Sequence, residues 1–352
     1  MGPPKSKGNT KSDKKPGHRP QNGFSHEARM QQEPTTAITL ELQQLLLNIF
    51  KQSFSERLES DIKPLLQEVK GHLYNRDFLT AFGREEYLEV YAARWSPSRA
   101  LGYLQVLESL TKELRVSPVP DDERGKFDWK VVCLGGGAGA EIVALGGFLK
   151  RLEMTIERGQ RRDVNAVVID VADWTNVVEK LSEHIVTRPL LSKYASAAAQ
   201  AANIPLIDPT RLNVSFHQYD ILNTSFSTLS PLLQYANLVT LMFTLNELYA
   251  TSLPLTQQFL LNLTHFLRPG SLLLIVDSPG SYSTVSLKGA EKKYPMHWLL
   301  DHTLLGEGQG ARSHWEKLKQ DEGRWLRLDE KLKYPIDSEN MRFQLHLYRR
   351  IE

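Results

Sequence analysis

The part of the chain that follows residue 36 has apolar residues at helical spacing. Five of them recur at intervals of three and four and would form one face of a helix: Leu42, Leu45, Leu46, Ile49 and Phe50. Similar spacing continues to Leu114, and Ser98, after the Ser96-Pro97 dipeptide, suits the N-cap of a last helix. We therefore expect a helical N-terminal domain over residues 37–116, followed by a polar linker.

The pattern changes at residue 129, where short apolar runs begin to alternate with amphipathic stretches. The runs have the length of strands and occupy residues 129–134, 165–174, 212–222, 236–249 and 271–280. A strictly alternating run at residues 342–350 suits an antiparallel strand at the edge of a sheet. This succession predicts a Rossmann-like α/β domain over residues 117–352, with a mostly parallel, doubly wound sheet and an antiparallel edge strand.

An aromatic and basic insertion interrupts this domain at about residues 278–335. It contains Trp298, Trp315 and Trp325, with Tyr282 and Tyr294, among several lysines and arginines. Such rings stack on unpaired bases in proteins that bind single-stranded RNA. The alternative interpretation is that the tryptophans form the core of a helical lid.

Charge is distributed unevenly between the first residues and the rest of the chain. The whole chain carries a formal net charge of +2, although residues 1–20 contain six Lys/Arg and only one Asp. Residues 1–36 also lack apolar anchors, so we expect a disordered basic tail. This tail is either an electrostatic tether for nucleic acid and a nuclear address, or a segment that only improves solubility.

The single cysteine, Cys133, excludes a disulfide framework within the chain and favours a reducing compartment. It lies inside the first strand, where a thiol is ordinarily a core residue. No spacing of Cys and His proposes a metal site, and no apolar run has the length of a membrane helix. We therefore expect neither a metal nor a membrane partner.

A glycine-rich turn, Gly135–Gly139, connects the first strand to the following helix. Small residues let the chain turn sharply there, and the next helix presents unpaired N–H groups to a ligand. A dinucleotide fold would have a third glycine near the position of Glu141. The GGGAGAE pattern instead favours the version of this turn found in methyltransferases, where no pyrophosphate approaches the backbone.

Acidic residues close the next two strands. Asp170 ends the second strand, where a carboxylate accepts hydrogen bonds from both ribose hydroxyls of a bound nucleoside, or else caps a helix. Asp220 closes the third strand, where methyltransferases typically place the acid that receives the adenine amino group. Asn246 and Glu247 lie at the end of the fourth strand, beside the expected methyl group, and are either catalytic or simply the start of a helix.

The absence of several motifs narrows the range of possible methyl acceptors. Methylation at pyrimidine C5 needs a cysteine nucleophile, and Cys133 is assigned to the core. The segment TLNELY replaces the Pro-Pro-aromatic motif typical of exocyclic-amine methyltransferases, and the fourth strand lacks the acid of a ribose 2′-O-methyltransferase. Uridine N3 needs only deprotonation and alignment, so a single carboxylate such as Glu247 suffices as base.

Several longer segments are more particular than the glycine turn. They are YAARWSPSRALGYL, VVCLGGGAGAE, FTLNELY, DSPGSYSTV, KKYPMHWLLDHTLL and MRFQLHLYRR. Together, over residues 38–350, they resemble the fungal 25S rRNA uridine-N3 methyltransferase family of class I S-adenosylmethionine (SAM)-dependent enzymes. The resemblance leaves out the basic tail.

The resemblance implies a nuclear and nucleolar enzyme that methylates N3 of one uridine in large-subunit rRNA, as free RNA or in a pre-ribosomal particle. It implies that Gly135, Gly137 and Gly139 line the SAM site, that Asp170 holds the ribose, and that Asp220 holds the adenine. By analogy with related enzymes, Tyr91 and Arg94 reach the methionine carboxylate, unless Arg94 serves only packing.

We expect a monomer. The alternatives are a methyltransferase for a protein or small molecule, and a non-catalytic assembly factor that binds pre-ribosomes. The intact glycine turn and both strand-end acids argue against the non-catalytic alternative.

Overall fold

The computed structural model describes residues 38–116, 129–155, 163–191, 193–201, 203–280, 282–287, 290–306 and 313–351. The basic tail and the polar linker expected between the two domains lie outside these ranges. The described residues belong to one compact unit, Ala37–Glu352. Within them, no helix has the length and apolarity needed to span a membrane.

Nine strands are described. They are β1 (Trp129–Leu134), β2 (Val164–Asp170), β3 (Leu212–Gln218), β4 (Leu238–Met242), β5 (Leu272–Asp277), β6 (Tyr282–Leu287), β7 (Ala290–Pro295), β8 (Trp315–Leu326) and β9 (Met341–Arg350). Strands β6 and β7 form a separate antiparallel hairpin, and the other strands form one sheet in the order β3-β2-β1-β4-β5-β9-β8. Strands β1 to β5 are parallel, which confirms the predicted α/β class.

The described helices surround this sheet. They are α1 (Leu40–Ser53), α2 (Ser55–Glu59), α3 (Lys63–Tyr74), α4 (Phe78–Ala81), α5 (Glu85–Ser109), α6 (Thr111–Val116), α7 (Ala140–Thr155), α8 (Thr175–Val186), α9 (Ala197–Ala201), α10 (Phe226–Leu233), α11 (Leu245–Thr251), α12 (Leu253–Phe266) and α13 (Met296–Leu305). One apolar cluster joins α1, α5, α7 and α8 to one face of the sheet. A second cluster joins α10 to α13 to the other face.

The N-terminal helices form a layer of this unit and not a separate domain. The reason lies in their contact with α7. A Cβ atom built on Gly147 would lie 3.1 Å from a methyl carbon of Leu104 and 3.1 Å from one of Leu46. Helices α1 and α5 therefore approach the backbone of α7 closely, and their apolar faces share one core with the sheet.

Helix α5 continues through Pro97, whereas the sequence suggested a new helix capped by Ser98. Proline lacks the N–H that would bond to the carbonyl four residues earlier, which belongs to Ala93. The hydroxyl of Tyr334 donates to that carbonyl over 2.9 Å and satisfies it. The Ser98 hydroxyl donates to the Trp95 carbonyl inside the helix and caps nothing.

Strand β9 is antiparallel as expected, but it lies between β5 and β8 and not at the edge. Residues 343–348 are all buried, because α13 covers the face that carries Gln344 and His346. The edge strand is β8, in a segment that one interpretation assigned to a helical lid. Trp315, at its start, is 2% exposed and belongs to the core of the sheet domain.

Candidate functional site

A cavity of about 570 Å³ opens where the parallel strands end. This edge is where open α/β sheets bind ligands, and the volume suits a small organic molecule. Polar and aromatic side chains from several elements line it: Tyr91, Trp95, Arg99, Asp170, Trp174, Asp220, Asn246, Glu247 and Asp277. The residues predicted at strand ends therefore meet in one place.

The glycine turn forms one wall of the cavity. Gly135 lines it directly, with φ +73°, and a Cβ atom there would lie 2.4 Å from the Thr244 hydroxyl oxygen. Gly137 has no room for a side chain, since its Cβ would lie 2.0 Å from the Trp174 ring. Gly139 has φ +80° just before α7. Only Gly135 of the three predicted glycines lines the cavity, and the other two shape the turn behind it.

Asp170 joins the glycine turn to the end of β2. Its carboxylate accepts hydrogen bonds from the N–H of Gly137 over 3.0 Å and the N–H of Ala172 over 3.2 Å. Burial raises its pKa, although these backbone hydrogen bonds oppose the shift. Asp173, and not Asp170, accepts from the N–H of Thr175 at the start of α8. Asp170 therefore makes no hydrogen bond to the first turn of α8 that would support the alternative role of a helix cap.

Asp220 reaches the same cavity two residues beyond the end of β3. One carboxylate oxygen accepts from the N–H of Leu222 over 2.9 Å, and the other accepts from the amide of Asn223 over 2.7 Å. These contacts hold the side chain in one orientation. Each oxygen retains a lone pair for an amino donor of a ligand.

Asn246 and Glu247 both line the cavity and both lie in the first turn of α11. Strand β4 ends earlier than the sequence suggested, at Met242, and Phe243 then takes φ +59° to redirect the chain. Partial burial raises the pKa of Glu247, and attraction to Arg76 lowers it to a smaller extent. Asn246 and Glu247 thus begin a helix and also line the cavity, so the start of a helix and a catalytic role are compatible for these residues.

Tyr91 lines the cavity, but Arg94 does not. The Arg94 guanidinium pairs with Glu339, and only 5% of the Arg94 side chain is exposed. Two arginines, Arg76 and Arg99, line the cavity, and Arg99 donates to the Tyr91 hydroxyl over 2.8 Å. Its guanidinium carbon also lies 5.1 Å from the centre of the Phe243 ring. The sequence signal for Arg99 is its position eight residues, about two helical turns, after Tyr91 on one face of α5.

Asp277, the last residue of β5, is a second cavity residue that sequence reasoning missed. It is 2% exposed and accepts from the N–H of Asn246 over 2.9 Å and the N–H of Ser278 over 2.7 Å. Burial raises its pKa to about 6, helped by repulsion from Glu247 and opposed by these hydrogen bonds and by Arg99. Its sequence signal is an acid that closes a strand, the same signal that identified Asp170.

The three tryptophans of residues 278–335 differ in exposure. Trp315 is buried, whereas Trp298 and Trp325 are 43% and 49% exposed. The Trp325 ring has the guanidinium carbons of Arg327 and Arg342 at 5.4 and 5.8 Å from its centre. Trp315 serves the core, but as part of strand β8 and not of a helical lid, whereas Trp325 presents a ring and two cations to solvent and its stacking on bases stays a prediction.

These groups fit SAM chemically. Asp170 offers acceptors for ribose hydroxyls, Asp220 offers acceptors for an amino group, and Arg99 offers a fork of donors for a carboxylate. Gly135 lines the cavity and has no side chain, so a ligand here meets bare backbone at that position. Among the described residues, no group of three or more His, Cys, Asp or Glu side chains is arranged to hold a metal ion.

Comparison with known proteins gives relatives along most of the chain. A family model for SAM-dependent methyltransferases matches residues 50–349. The 25S rRNA (uridine(2843)-N(3))-methyltransferase of Saccharomyces cerevisiae is 34% identical over 327 residues, which is 87% of this chain and 85% of that protein.

Solved structures of other methyltransferases overlap with the chain at lower similarity. The N-methyltransferase NodS from Bradyrhizobium japonicum, in complex with S-adenosyl-L-homocysteine, is 15% identical with a TM-score of 0.36, covering 75% of this chain and 97% of that one. A SAM-dependent methyltransferase from Clostridium acetobutylicum is 9% identical with a TM-score of 0.34, covering 72% and 92%.

Proposed function

The chain belongs to the SAM-dependent methyltransferase family, and we propose that it methylates N3 of a uridine in large-subunit rRNA. The observation that carries the proposal is the convergence of Asp170, Asp220 and Arg99 with two further carboxylates in one cavity. The activity named for the yeast relative, together with 34% identity over most of both chains, supports the choice of uridine N3.

The cofactor site follows from the donors and acceptors in the cavity. Asp170 accepts from the ribose hydroxyls, and Asp220 accepts from the adenine amino group. Tyr91 and Arg99 hold the methionine carboxylate, a role that passes to Arg99 because Arg94 pairs with Glu339 outside the cavity. The planar guanidinium of Arg99 can donate two parallel hydrogen bonds to a carboxylate.

The remaining polar groups of the cavity are assigned to the methyl acceptor. When bound, SAM supplies an electrophilic methyl group on a sulfonium. Uridine N3 carries a proton that must leave before its lone pair attacks, so a carboxylate beside it acts as general base. Glu247 and Asp277 both line the cavity and are the candidates for this base, and Asn246, which also lines it, is assigned to orient the uridine through its side-chain amide.

The partner proposed is large-subunit rRNA, free or in a pre-ribosomal particle, and the site of action is the nucleolus. A lone methyltransferase subunit contains every group assigned above, so the proposed active form is a monomer. Trp325, with Arg327 and Arg342, is the surface proposed to stack on an unpaired base and to meet its phosphates.

The test has a product assay and a binding assay. Purified protein, SAM and unmodified large-subunit rRNA are incubated, and the RNA is digested and analysed for 3-methyluridine by mass spectrometry. We expect 3-methyluridine; a protein fraction or small molecule that is methylated in its place would contradict the proposal. Calorimetry that shows no SAM binding to the intact protein would identify a non-catalytic assembly factor.

Asp170→Ala tests the cofactor site itself. The substitution removes the hydrogen bonds that two ribose hydroxyls donate to a charged acceptor, each of which contributes about 1.5–3 kcal/mol. We therefore expect SAM affinity to fall about 100-fold or more, measured by calorimetry. Asp173→Ala, which removes a neighbouring exposed carboxylate outside the cavity, is the matched control. Near-normal affinity of Asp170→Ala would show that the ribose lies elsewhere.

A further inference from the structure

The two carboxylates near the methyl acceptor differ in how they are held. Glu247 lies in the first turn of α11 and is exposed to solvent. Asp277 ends β5, is 2% exposed, and has one backbone N–H bonded to each of its oxygens. An oxygen with one donor still has a lone pair, so Asp277 can accept a proton while it stays in place.

A second pair of side chains, Gln344 and His346, holds the backbone of Ser278, the residue whose N–H bonds to Asp277. The amide nitrogen of Gln344 donates to the Ser278 carbonyl over 2.7 Å, and the Ser278 N–H donates to Asp277. Since the Gln344 amide nitrogen faces Ser278, its oxygen faces the imidazole Nε2 of His346, at 3.0 Å. His346 must therefore carry its proton on Nε2 and donate it to Gln344.

The charge state of His346 is compatible with this arrangement. The ring is fully buried, and burial lowers its pKa to about 4, with a further contribution from Lys317. A neutral imidazole with its proton on Nε2 leaves Nδ1 without a partner, as observed. The backbone of Ser278 is thus held at its carbonyl by Gln344, which His346 orients in turn, while its N–H donates to Asp277.

The electrostatic surroundings of Asp277 come from three elements. Burial against the sheet raises its pKa, Glu247 on α11 raises it further, and Arg99 on α5 lowers it. The balance is a pKa of about 6. A base whose pKa lies near the working pH combines a useful deprotonated fraction with good proton affinity.

We propose that Asp277, and not Glu247, is the general base that removes the proton from uridine N3. This inference rests on the proposed function and specifies its proton acceptor. The N3 proton moves to a carboxylate oxygen of Asp277, and the N3 lone pair forms the new bond to the methyl carbon. The bond between that carbon and sulfur breaks, and its electron pair stays on sulfur. Asp277 then releases the proton to water at the mouth of the cavity.

The experiment compares the pH dependence of single-turnover methylation in three proteins: the native protein, Asp277→Asn and Glu247→Gln. For the native protein we expect the rate to rise with pH, with an inflection near pH 6 and a plateau at higher pH. Asp277→Asn is expected to be at least about 100-fold slower and to lose this inflection. Glu247→Gln keeps the inflection but moves it to lower pH, because one negative charge beside Asp277 is gone.

The opposite pattern overturns the assignment: an inflection kept by Asp277→Asn and lost by Glu247→Gln makes Glu247 the base. If Asp277→Asn fails to bind SAM in calorimetry, the pH profile of Glu247→Gln decides alone. An inflection that Glu247→Gln retains supports Asp277 as the base, and an inflection that it loses refutes that assignment. A native protein that forms no 3-methyluridine at any pH contradicts the proposed function, whereas an active protein with an unchanged Asp277→Asn profile contradicts only this inference.

A second readout does not depend on activity. Because burial raises the pKa of Asp277 in the folded protein, ionisation opposes folding above the ordinary pKa of an aspartate. The Tm of Asp277→Asn should therefore rise relative to that of the native protein as the pH increases from 4.5 to 7. A Tm difference that is constant over this range would show that Asp277 is not desolvated as the structure indicates.

Discussion

Replacing Glu141 with glutamine tests the buried polar group beneath the glycine turn. Glu141 is 5% exposed, and its carboxyl accepts a hydrogen bond from the Thr240 hydroxyl. Its other oxygen occupies the space of a side chain at Gly136, where a Cβ atom would lie 2.2 Å away. Glutamine has the same shape and can accept the same hydrogen bond, so the substitution changes only the ability to ionise.

The magnitude follows from the pKa. Burial raises the pKa of Glu141 from 4.5 to about 8, with a smaller contribution from the charge of Asp170. Each pH unit of such a shift corresponds to about 1.4 kcal/mol. The folded pKa is the higher one, so the unfolded chain loses this proton first and the native protein loses stability as the pH rises from 4.5 to 8. Between pH 5 and pH 7.5 this loss is about 3 kcal/mol.

The assay is urea unfolding of the native protein and Glu141→Gln at several pH values between 5 and 8.5. We expect the free energy of unfolding of the variant to gain about 3 kcal/mol on the native protein between pH 5 and pH 7.5, with an unchanged m-value. Glu179→Gln, on the exposed face of α8, is the control for loss of one charge. A difference that does not vary with pH would refute the reasoning, since Glu141 would then be hydrated and ordinary.

Two further predictions concern ligands. Arg99→Gln should weaken SAM binding about 10-fold or more in calorimetry because a charged hydrogen bond to the carboxylate is lost, whereas Arg94→Gln should stay close to the native affinity because Arg94 lies outside the cavity. If Arg94→Gln lowered SAM affinity more than Arg99→Gln, Arg94 would be the ligand of the methionine carboxylate. Trp325→Ala should weaken rRNA binding about 5-fold or more in a filter assay, through lost base stacking, and leave SAM affinity unchanged. Unchanged RNA affinity would contradict the proposed surface.

The alternation of apolar runs and amphipathic stretches was sufficient to predict the parallel part of the sheet. Such strands are covered on both faces, so their sequences are almost continuously apolar and are easy to recognise. The position of β9 was not predictable in this way. Its alternating sequence is typical of an edge strand, but α13 buries its polar face, where Gln344 and His346 satisfy one another.

Helix α5 shows why the sequence pointed to Arg94, and not to Arg99, as the arginine of the cofactor site. Sequence reasoning ended one helix at Ser96-Pro97, so Arg99 was assigned to a new helix with no fixed relation to Tyr91. The helix in fact continues because Tyr334, distant along the chain, bonds to the carbonyl that Pro97 leaves unpaired. No local pattern contains that contact. Once the helix is continuous, its periodicity places Tyr91, Trp95 and Arg99 on one face.

Asp277 illustrates the same dependence on tertiary contacts, this time for chemistry. An acid at the end of a strand is a weak signal, and the sequence offers three of them, at Asp170, Asp220 and Asp277. Burial raises the pKa of Asp170 and of Asp277, the latter to about 6, whereas Asp220 is half-buried at the cavity wall. Asp170 is bonded to the glycine turn, at the position assigned to the ribose. Keeping a carboxyl group desolvated in a cleft lowers stability, and such groups are concentrated at functional sites. Asp277 is such a group, since it is buried and lines the cavity, and we therefore assign the proton transfer to it.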